Sequence, residues 1–318
     1  MNEISIVIPV YNESQSLEQL HKQLTSTLSN LGKSYEIVFV DDGSSDGSIS
    51  SLEKLYAKDK AVKIIQLRRN FGKAAALSAG FKYADGKIII TMDADLQDDP
   101  AEIPKFLSKI EEGYDLVSGW RYPRHDSFSK RVPSKLFNQV TSLISGIKLH
   151  DFNCGFKVYR RETAKGIKLY GELHRYLPVL VHGKGFKVGE VKINHRPRQS
   201  GQSKYGAIRY IRGFLDLLTV MFLTDYCLKP LHFFGLLGLI MLILGFIINA
   251  YLSVLWFMGQ GIGHRPLLLF GVLLMLMGIQ FISLGLLGEM IQFKTSDTSE
   301  NFTIRRILGS QRSQNFEK

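Results

Sequence analysis

The chain has few cysteines and long stretches without charge, and both shortages limit what it can be. Only two of its 318 residues are cysteines, Cys154 and Cys227. Their spacing matches neither a zinc site nor a disulfide framework, which favours a reduced compartment. Internal repeats and low-complexity segments are also missing from the sequence.

Asp, Glu, Lys and Arg are absent from residues 230–264 and, after Arg265, from residues 266–288. A membrane-spanning helix needs about 20 apolar residues, so each run is long enough to span a bilayer. The sequence therefore predicts two transmembrane helices, at about 232–256 and about 266–288, within a segment of 230–290. The alternative is a pair of buried core helices.

Positive charge predominates, with a net charge of +11, and it clusters before the first uncharged run. Residues 207–229 mix apolar and basic side chains, as expected of an amphipathic juxtamembrane helix that attracts anionic headgroups. The tail 291–318 is basic, whereas the loop between the spans carries only Arg265. The positive-inside rule then places the N-terminal domain and the tail in the cytoplasm. Nucleic acid is the rival partner, but no recognition motif accompanies the charge.

Apolar runs alternate with helical patterns along the first two thirds of the chain. Strands are predicted at 4–10, 36–40, 62–67, 87–92, 114–118, 156–159 and 186–193, and helices at 12–31, between Gly43 and the third strand, at 72–84, 131–146 and 173–183, and from Pro100 onward. Pro9 makes the first run a strand rather than a secretory leader. This alternation predicts an α/β fold with parallel strands, in which ligands bind beyond the carboxyl ends of the strands.

Polar clusters follow several of these strands. Asp93-Ala94-Asp95 ends an apolar strand, and two carboxylates at a strand end suit Mg²⁺ or Mn²⁺ on a diphosphate. A solvated loop is the alternative. Asp41-Asp42-Gly43-Ser44 follows the second strand, where a carboxylate can accept hydrogen bonds from a nucleoside. Helix capping is the competing role, with Ser44 or Ser45 as the cap.

Several motifs together resemble one family. VIPVYNE, VDDGSSD, NFGKAAAL, MDADLQDDP, DFNCGFKVYRR and RQSGQSKY occur in an order and spacing similar to glycosyltransferase family 2. The resemblance spans about residues 4–206 and is strongest to polyprenyl-phosphate hexosyltransferases, such as dolichol-phosphate mannose synthase and the undecaprenyl-phosphate glucosyltransferases of O-antigen glucosylation. It implies a GT-A (Rossmann-like) domain over 1–206, followed by the two-helix transmembrane anchor, and inversion at the anomeric carbon.

The resemblance also implies roles for individual residues. It assigns the nucleotide sugar to Pro9, Tyr11, Glu13, Asp41, Asp42, Lys73 and Asp93, with Arg198, Gly201, Ser203 and Lys204 in a mobile loop over the diphosphate. It assigns the metal to Asp93, Asp95 and Gln97, and the acceptor phosphate to Arg121, Arg131 and Ser134. Loop packing is the alternative for Tyr11 and Glu13, and an exposed cationic face for Arg121 and Arg131.

Asp151 is the catalytic residue that the resemblance implies, as a base or as a positioning group. A phosphate monoester has a second pKa near 6, so a strong base is hardly needed to activate it at neutral pH. Positioning is therefore the role that we expect. Glu172 and His174 are weaker candidates.

The expected reaction is transfer of a hexose, with UDP-glucose as the favoured donor, to undecaprenyl phosphate at the inner membrane. GDP-mannose, N-acetylglucosamine and aminoarabinose-type donors are alternatives. A polysaccharide synthase is disfavoured because its Gln-x-x-Arg-Trp motif is missing, and a non-catalytic scaffold because Asp93, Asp95 and Asp151 are retained. Homo-oligomers, a downstream flippase and a lumenal or periplasmic transferase are the expected partners, and nucleic acid is not.

The basic flanks generate a test of topology. A reporter fused after Lys318 should report the cytoplasm, and one inserted at residues 259–265 should report the opposite side, because positive flanks are retained inside. Paired phosphatase and fluorescent-protein fusions make the measurement, and a carboxyl terminus outside the cytoplasm would contradict the prediction.

Overall fold

The computed structural model describes residues 2–122, 138–143, 145–167, 169, 171, 173–194, 196, 230–261 and 266–296. The chain forms two compact units, the first containing a β-sheet and the second a pair of long helices. The predicted segment 207–229, the tail beyond 296 and half of the predicted helix 131–146 lie outside the described residues, whereas 138–143 are helical.

The first unit alternates strands and helices as the sequence predicts, with ends shifted by a few residues. Its strands are β1 (Ile4–Val10), β2 (Tyr35–Asp41), β3 (Val62–Gln66), β4 (Ile88–Thr91), β5 (Leu116–Arg121), β6 (Lys157–Arg160) and β7 (Val188–Ile193). Its helices are α1 (Leu17–Asn30), α2 (Ser48–Lys58), α3 (Lys73–Tyr83), α4 (Ile103–Glu111), α5 (Arg161–Lys165) and α6 (Leu177–Gly183). Short 3₁₀ turns at Pro100–Glu102 and Leu173–Tyr176 precede α4 and α6, so Pro100 opens a 3₁₀ turn and the α-helix begins at Ile103.

The seven strands form one sheet in the order β3-β2-β1-β4-β6-β5-β7. Parallel pairing holds for β1 with β2 and β4, for β2 with β3, and for β5 with β7. The expectation of a parallel sheet is wrong at β6, which runs antiparallel to both β4 and β5. The chain therefore enters β6 at the edge where β4 ends, which brings residues 151–156 beside the end of β4.

Both faces of the sheet are covered by helices whose apolar spacing explains their packing. On one face Ile4, Ile6, Ile8 and Val10 of β1 join the α1 and α4 side chains in one core. On the other face Val7 packs with α3. A Cβ built on Gly80 would lie 2.2 Å from Val7 Cγ1, so α3 lies unusually close to β1. This approach fixes the amino end of α3 at the edge of the sheet where β1 and β4 end.

The second unit consists of α7 (Pro230–Phe257) and α8 (Pro266–Ser296). Both are long and apolar enough to cross a membrane, and only 11% of the most apolar window of each is buried. Most of each window is thus at least partly exposed, which favours membrane spans over the alternative of two buried core helices. The helices contact through glycines spaced seven residues apart: a Cβ on Gly238 would lie 2.6 Å from the Gly278 carbonyl, and one on Gly245 would lie 2.7 Å from the Gly271 carbonyl.

The glycine contacts predict the effect of one added methyl group. Gly238→Ala should push α7 and α8 apart, because its Cβ would meet the backbone of the facing helix. Overpacking of this kind typically costs about 1–3 kcal/mol. Gly235→Ala is the matched control, because its Cβ would meet only the flexible Leu231 side chain, at 3.3 Å. Thermal unfolding in detergent makes the comparison, and equal midpoints for the two variants would contradict the packing.

Candidate active site

The carboxyl ends of β1, β2 and β4 lie at one edge of the sheet, and hydrogen bonds join the loops that follow β1 and β2. The Asn12 amide donates to Ser44 Oγ at 2.9 Å, and the Ser45 amide donates to Asn12 Oδ1 at 2.8 Å. Asn12 adopts a positive φ of 56°, a conformation that asparagine tolerates better than most residues. The predicted nucleotide residues Tyr11 and Glu13 are thereby held beside the end of β2.

Two adjacent aspartates at the end of β2 have different surroundings. Both oxygens of Asp42 accept backbone hydrogen bonds, from the Phe71 amide at 2.8 Å and the Gly72 amide at 2.9 Å. Asp41 is fully buried, and its Oδ1 accepts from the Ser44 amide at 3.3 Å. Within the described parts of the chain, its Oδ2 has no hydrogen-bond partner. Asp42 therefore holds a loop, and Asp41 has an acceptor left for a ligand.

The expected cap at Ser44 or Ser45 is wrong. Helix α2 begins at Ser48 after Gly47, whose φ is 89°, and no side chain caps it at that residue. Asp46 instead accepts from the Ser48 amide at 3.0 Å and from the Ser14 amide at 3.0 Å. Side chains of the β2 loop thus accept hydrogen bonds from amides of the β1 loop. Ser44 accepts from Asn12 and does not cap the helix.

Asp93 lies at the centre of the edge, just beyond β4. Its carboxylate pairs with Lys73, the first residue of α3. Burial opposes ionisation of Asp93, yet the nearby charges of Lys73 and Arg121 keep its pKa below the usual range. A Cβ on Gly155 would lie 2.5 Å from Asp93 Oδ2, so a larger residue there would displace this carboxylate.

Asp95 and Asp98 complete an acidic turn after Asp93. The Gln97 amide donates to Asp95 Oδ1 at 3.2 Å, and the Asp93 amide donates to Asp98 Oδ2 at 3.3 Å. Leu96 between them has a φ of 63°, a left-handed conformation that is rare for a leucine. Burial, with the charges of Asp93 and Asp95, raises the pKa of Asp98 to about 7.

Whether these residues fit a divalent cation depends on the other ligands that the cation would have. Among the described residues, no three His, Cys, Asp or Glu side chains are grouped to hold a metal ion. Mg²⁺, however, commonly binds to one or two carboxylates together with substrate phosphates and waters. The carboxylates near Asp98 are crowded enough to raise its pKa, and a cation relieves such repulsion. Asp93 and Asp95 therefore fit Mg²⁺ or Mn²⁺ that binds together with a diphosphate.

The predicted catalytic residue and a predicted phosphate ligand contact each other directly. Arg121 donates from Nε to Asp151 Oδ2 at 2.7 Å and from Nη2 to Asp151 Oδ1 at 3.1 Å. Asp151 is only 2% exposed, and its Oδ1 also accepts from the Asn153 amide at 3.1 Å. Both carboxylate oxygens are thus engaged by a bidentate, charge-assisted pair, which fixes the side chain of Asp151.

Two further side chains reach the same region. Lys157, in β6, is buried and donates to the Cys154 carbonyl. Burial, with repulsion from Lys73 and Arg121, lowers the pKa of Lys157 to about 8. Burial and Lys73 lower the pKa of His174 to about 2, so its imidazole is neutral at physiological pH. The sequence analysis missed Lys157, for which a lone lysine within the apolar run FKVY was the available signal.

The structure brings together most of the predicted site residues that it describes. Pro9, Tyr11, Glu13, Asp41 and Asp42 lie at the ends of β1 and β2, and Asp93, Asp95 and Gln97 follow β4, where Lys73 at the start of α3 pairs with Asp93. Arg121 and its partner Asp151 lie near the acidic turn, because the charge of Arg121 lowers the pKa of Asp93. Arg131, Ser134, Glu172, Arg198, Gly201, Ser203 and Lys204 lie outside the described residues.

Comparison with known proteins identifies the class. The model of the family described as glycosyl transferase family 2 matches residues 5–167, about half of the chain. A dodecaprenyl-phosphate galacturonate synthase of Rhizobium johnstonii is 41% identical and covers 97% of this chain and 94% of its own. The chain therefore belongs to glycosyl transferase family 2 and is a glycosyltransferase.

Within the family, the similarity is to the subgroup named for polyprenyl phosphates. An undecaprenyl-phosphate 4-deoxy-4-formamido-L-arabinose transferase of Pseudomonas aeruginosa is 37% identical, covering 96% of this chain and 90% of its own. Among solved structures, glucosyl-3-phosphoglycerate synthase from Mycobacterium tuberculosis, in complex with Mn²⁺ and UDP-glucose, aligns with a TM-score of 0.56. It is 16% identical and covers 72% of this chain and 82% of its own, a likeness that confirms the GT-A fold.

Asp98 gives a prediction about stability and pH. Its pKa is 3.8 in the reference state and about 7 in the fold, so the folded protein keeps a proton that the unfolded chain loses. Stability should therefore fall as pH rises from about 4 to about 7, and Asp98→Asn should remove this loss. Each pKa unit corresponds to about 1.4 kcal/mol. In metal-free buffer, the unfolding temperature of Asp98→Asn should exceed that of the wild type at neutral pH, with the difference vanishing near pH 4.

A control substitution at Asp85 should change stability in the opposite direction. A hydrogen bond from Lys63 lowers the pKa of Asp85, so Asp85→Asn should destabilise the fold at neutral pH and lose that effect as pH falls. An Asp98→Asn variant less stable than the wild type at neutral pH would show that the carboxylate is ionised and paired there.

Proposed function

We propose that this protein transfers a sugar from a nucleoside diphosphate to a polyprenyl phosphate at the cytoplasmic face of the inner membrane. The observation that carries the proposal is the position of Asp93 within range of both Lys73 and Arg121. A cation site for a leaving diphosphate and an arginine for an acceptor phosphate therefore share one edge of the sheet. The relatives named for polyprenyl-phosphate substrates match nearly the whole chain, which supports this acceptor.

The nucleoside is proposed to bind at the ends of β1 and β2. The free oxygen of buried Asp41 can accept from a base N–H or a ribose hydroxyl, with Pro9, Tyr11 and Glu13 forming the surrounding wall. We assign this role to Asp41 rather than Asp42, because both Asp42 oxygens bind the loop at Phe71 and Gly72.

The diphosphate is proposed to bind beyond β4 together with Mg²⁺ or Mn²⁺. Asp93, Asp95 and Gln97 would hold the ion, which would neutralise charge on the departing diphosphate. Lys73 would contact a phosphate oxygen, since it already lies against Asp93. Arg198, Ser203 and Lys204 are proposed to cover the diphosphate, as the family resemblance implies. The Mn²⁺ and UDP-glucose bound by the M. tuberculosis synthase support a metal-bound donor in this fold.

The acceptor phosphate is proposed to bind Arg121, with Arg131 and Ser134. One of its oxygens attacks the anomeric carbon, the bond from that carbon to the diphosphate breaks, and the nucleoside diphosphate leaves with that electron pair. The dianionic phosphate has no proton to lose, because its second pKa is near 6. Asp151 then acts by orienting Arg121, which agrees with the two hydrogen bonds that join them.

The membrane assignment rests on α7 and α8. Large apolar side chains are exposed on α7 and on α8 as far as Ile291, and a surrounding hydrocarbon layer would remove the free-energy cost of exposing them to water. We propose that they anchor the catalytic unit on the cytoplasmic side.

The identity of the sugar is a second point of the proposal. The resemblance of the two-span tail to bacterial glucosyltransferases favours UDP-glucose, whereas the relatives are named for galacturonate and 4-deoxy-4-formamido-L-arabinose. The main alternative to UDP-glucose is a donor with an anionic sugar, such as UDP-galacturonate. Lys157 supports this alternative, because it adds a buried cation to Arg121 near Asp151. A sugar carboxylate would balance that charge.

The function is tested by a transfer assay with the full chain in membranes. Radiolabelled UDP-glucose, UDP-galacturonate, UDP-4-formamido-arabinose and GDP-mannose are each supplied with undecaprenyl phosphate, and lipid-soluble product is counted. EDTA should abolish transfer and Mg²⁺ or Mn²⁺ should restore it, and Asp95→Ala should lose most activity while remaining folded. Polymeric product, or no lipid-linked product from any donor, would reject the proposal, and full activity after EDTA and dialysis would reject the metal.

Asp151 generates a separate kinetic prediction. If Asp151 positions Arg121, Asp151→Asn should lower kcat/KM by about 10²-fold, as misplacement does, and by a factor independent of pH above about 7. Both proteins should show activity rising through the acceptor pKa near 6. The measurement is kcat/KM from about pH 5.5 to about pH 9 with saturating lipid. A pH-dependent rise that disappears in Asp151→Asn would instead identify Asp151 as the titrating base.

A further inference from the structure

An aromatic and cationic patch lies on the edge of the sheet formed by β5 and β7. We call Trp120, Tyr122, His150 and Lys192 the β5–β7 patch. The Trp120 and His150 rings stack with centroids 3.9 Å apart and planes 9° apart. Lys192 Nζ lies 4.7 Å from the Trp120 ring centroid and 4.6 Å from that of Tyr122.

The patch is ordered but faces solvent. Glu190 fixes His150 by accepting from its backbone amide at 2.9 Å and by contacting its Nδ1 at 2.5 Å. Tyr122 is nevertheless 56% exposed, and the His150 side chain is 61% exposed. None of the four side chains has a role in the proposed reaction. Amphipathic aromatic rings beside a lysine are the composition typical of a membrane–water interface.

The position of the patch relative to Arg121 identifies what it contacts. Trp120 and Tyr122 are the chain neighbours of Arg121, so their Cα atoms lie about 3.8 Å from its own. Successive side chains on a strand point to opposite faces, which directs both rings away from the site while keeping them at its rim. A lipid phosphate that reaches Arg121 stays attached to a chain in the bilayer. The rim beside Arg121 must therefore approach the headgroup layer.

We propose that the β5–β7 patch inserts into the headgroup layer of an anionic bilayer, where it holds the acceptor side of the active site against the membrane. The proposal rests on the proposed function only for the presence of a lipid acceptor at Arg121. Lys192 supplies the charge that anionic headgroups attract, and the two rings supply the amphipathic surface. A sugar-stacking platform fits less well, because His150 and Lys192 already lie against the Trp120 ring.

The sequence provides a direct probe of this contact. The chain has two tryptophans, Trp120 and Trp256, and Trp256 lies in α7. In the full-length Trp256→Phe variant Trp120 is therefore the sole tryptophan. The variant is reconstituted in nanodiscs of anionic lipid, with bromine near the headgroup end of the acyl chains, deep in the chains, or absent. Trp120→Phe, in which only Trp256 emits, verifies that brominated lipid surrounds the protein.

The expected result is loss of Trp120 emission with shallow bromine, less loss with deep bromine, and no change on adding UDP-sugar. Lys192→Glu should reduce this quenching, because loss of the lysine alone lowers the ratio of docked to undocked states roughly fivefold and the added glutamate lowers it further. Lys187→Glu makes the same charge change at an exposed position before β7 and should leave the quenching unchanged.

Three results would overturn the proposal. They are emission unaffected by either brominated lipid, equal effects of Lys192→Glu and Lys187→Glu, and a Trp120 signal that answers to UDP-sugar but not to lipid. The transfer assay on the same nanodiscs separates this proposal from the proposed function. Quenching without lipid-linked product rejects only the proposed function, and lipid-linked product without quenching rejects only the membrane contact.

Discussion

The carboxylate of Asp42 is the contact on which the site depends. It accepts from the Phe71 and Gly72 amides and so ties the end of β2 to the residue before α3. The first residue of α3 is Lys73, which pairs with Asp93 beyond β4. One buried acid thus ties the end of β2, the proposed nucleoside site, to the amino end of α3 beside Asp93, the proposed diphosphate site. Close packing of Gly80 on Val7 also holds α3 against the sheet, at β1.

Positive and negative side chains lie close together in the candidate site. Lys73 and Arg121 act on Asp93 from different elements, and Arg121 is itself fixed by Asp151. A rigid arginine loses little freedom when it binds a phosphate, which is the advantage of preorganisation. His174 stays neutral beside these cations because burial and Lys73 depress its pKa. In the proposed reaction, these cations would bind phosphates and the carboxylates would bind a metal ion.

The sequence was sufficient for the elements and for the edge where polar residues gather, because apolar runs and strand ends are local signals. It could not give the direction of β6, since the run FKVY reads the same in either orientation and tertiary pairing decides. Nor could it separate Asp41 from Asp42, whose roles differ only through the direction in which each side chain leaves β2. The pairing of Arg121 with Asp151 joins residues 30 apart in the chain, and no local pattern encodes such a contact.

The seven-residue spacing of the glycines between α7 and α8 has a consequence for how the anchor suits its bilayer. Seven residues of helix rise about 10 Å. Residues inserted or deleted between the contacting glycines therefore preserve the contacts only in steps of seven. Bilayers differ in thickness by only a few ångströms, much less than one such step. As the proposed membrane anchor, the helix pair would therefore meet a thicker or thinner bilayer by tilting as one body rather than by changing its packing register.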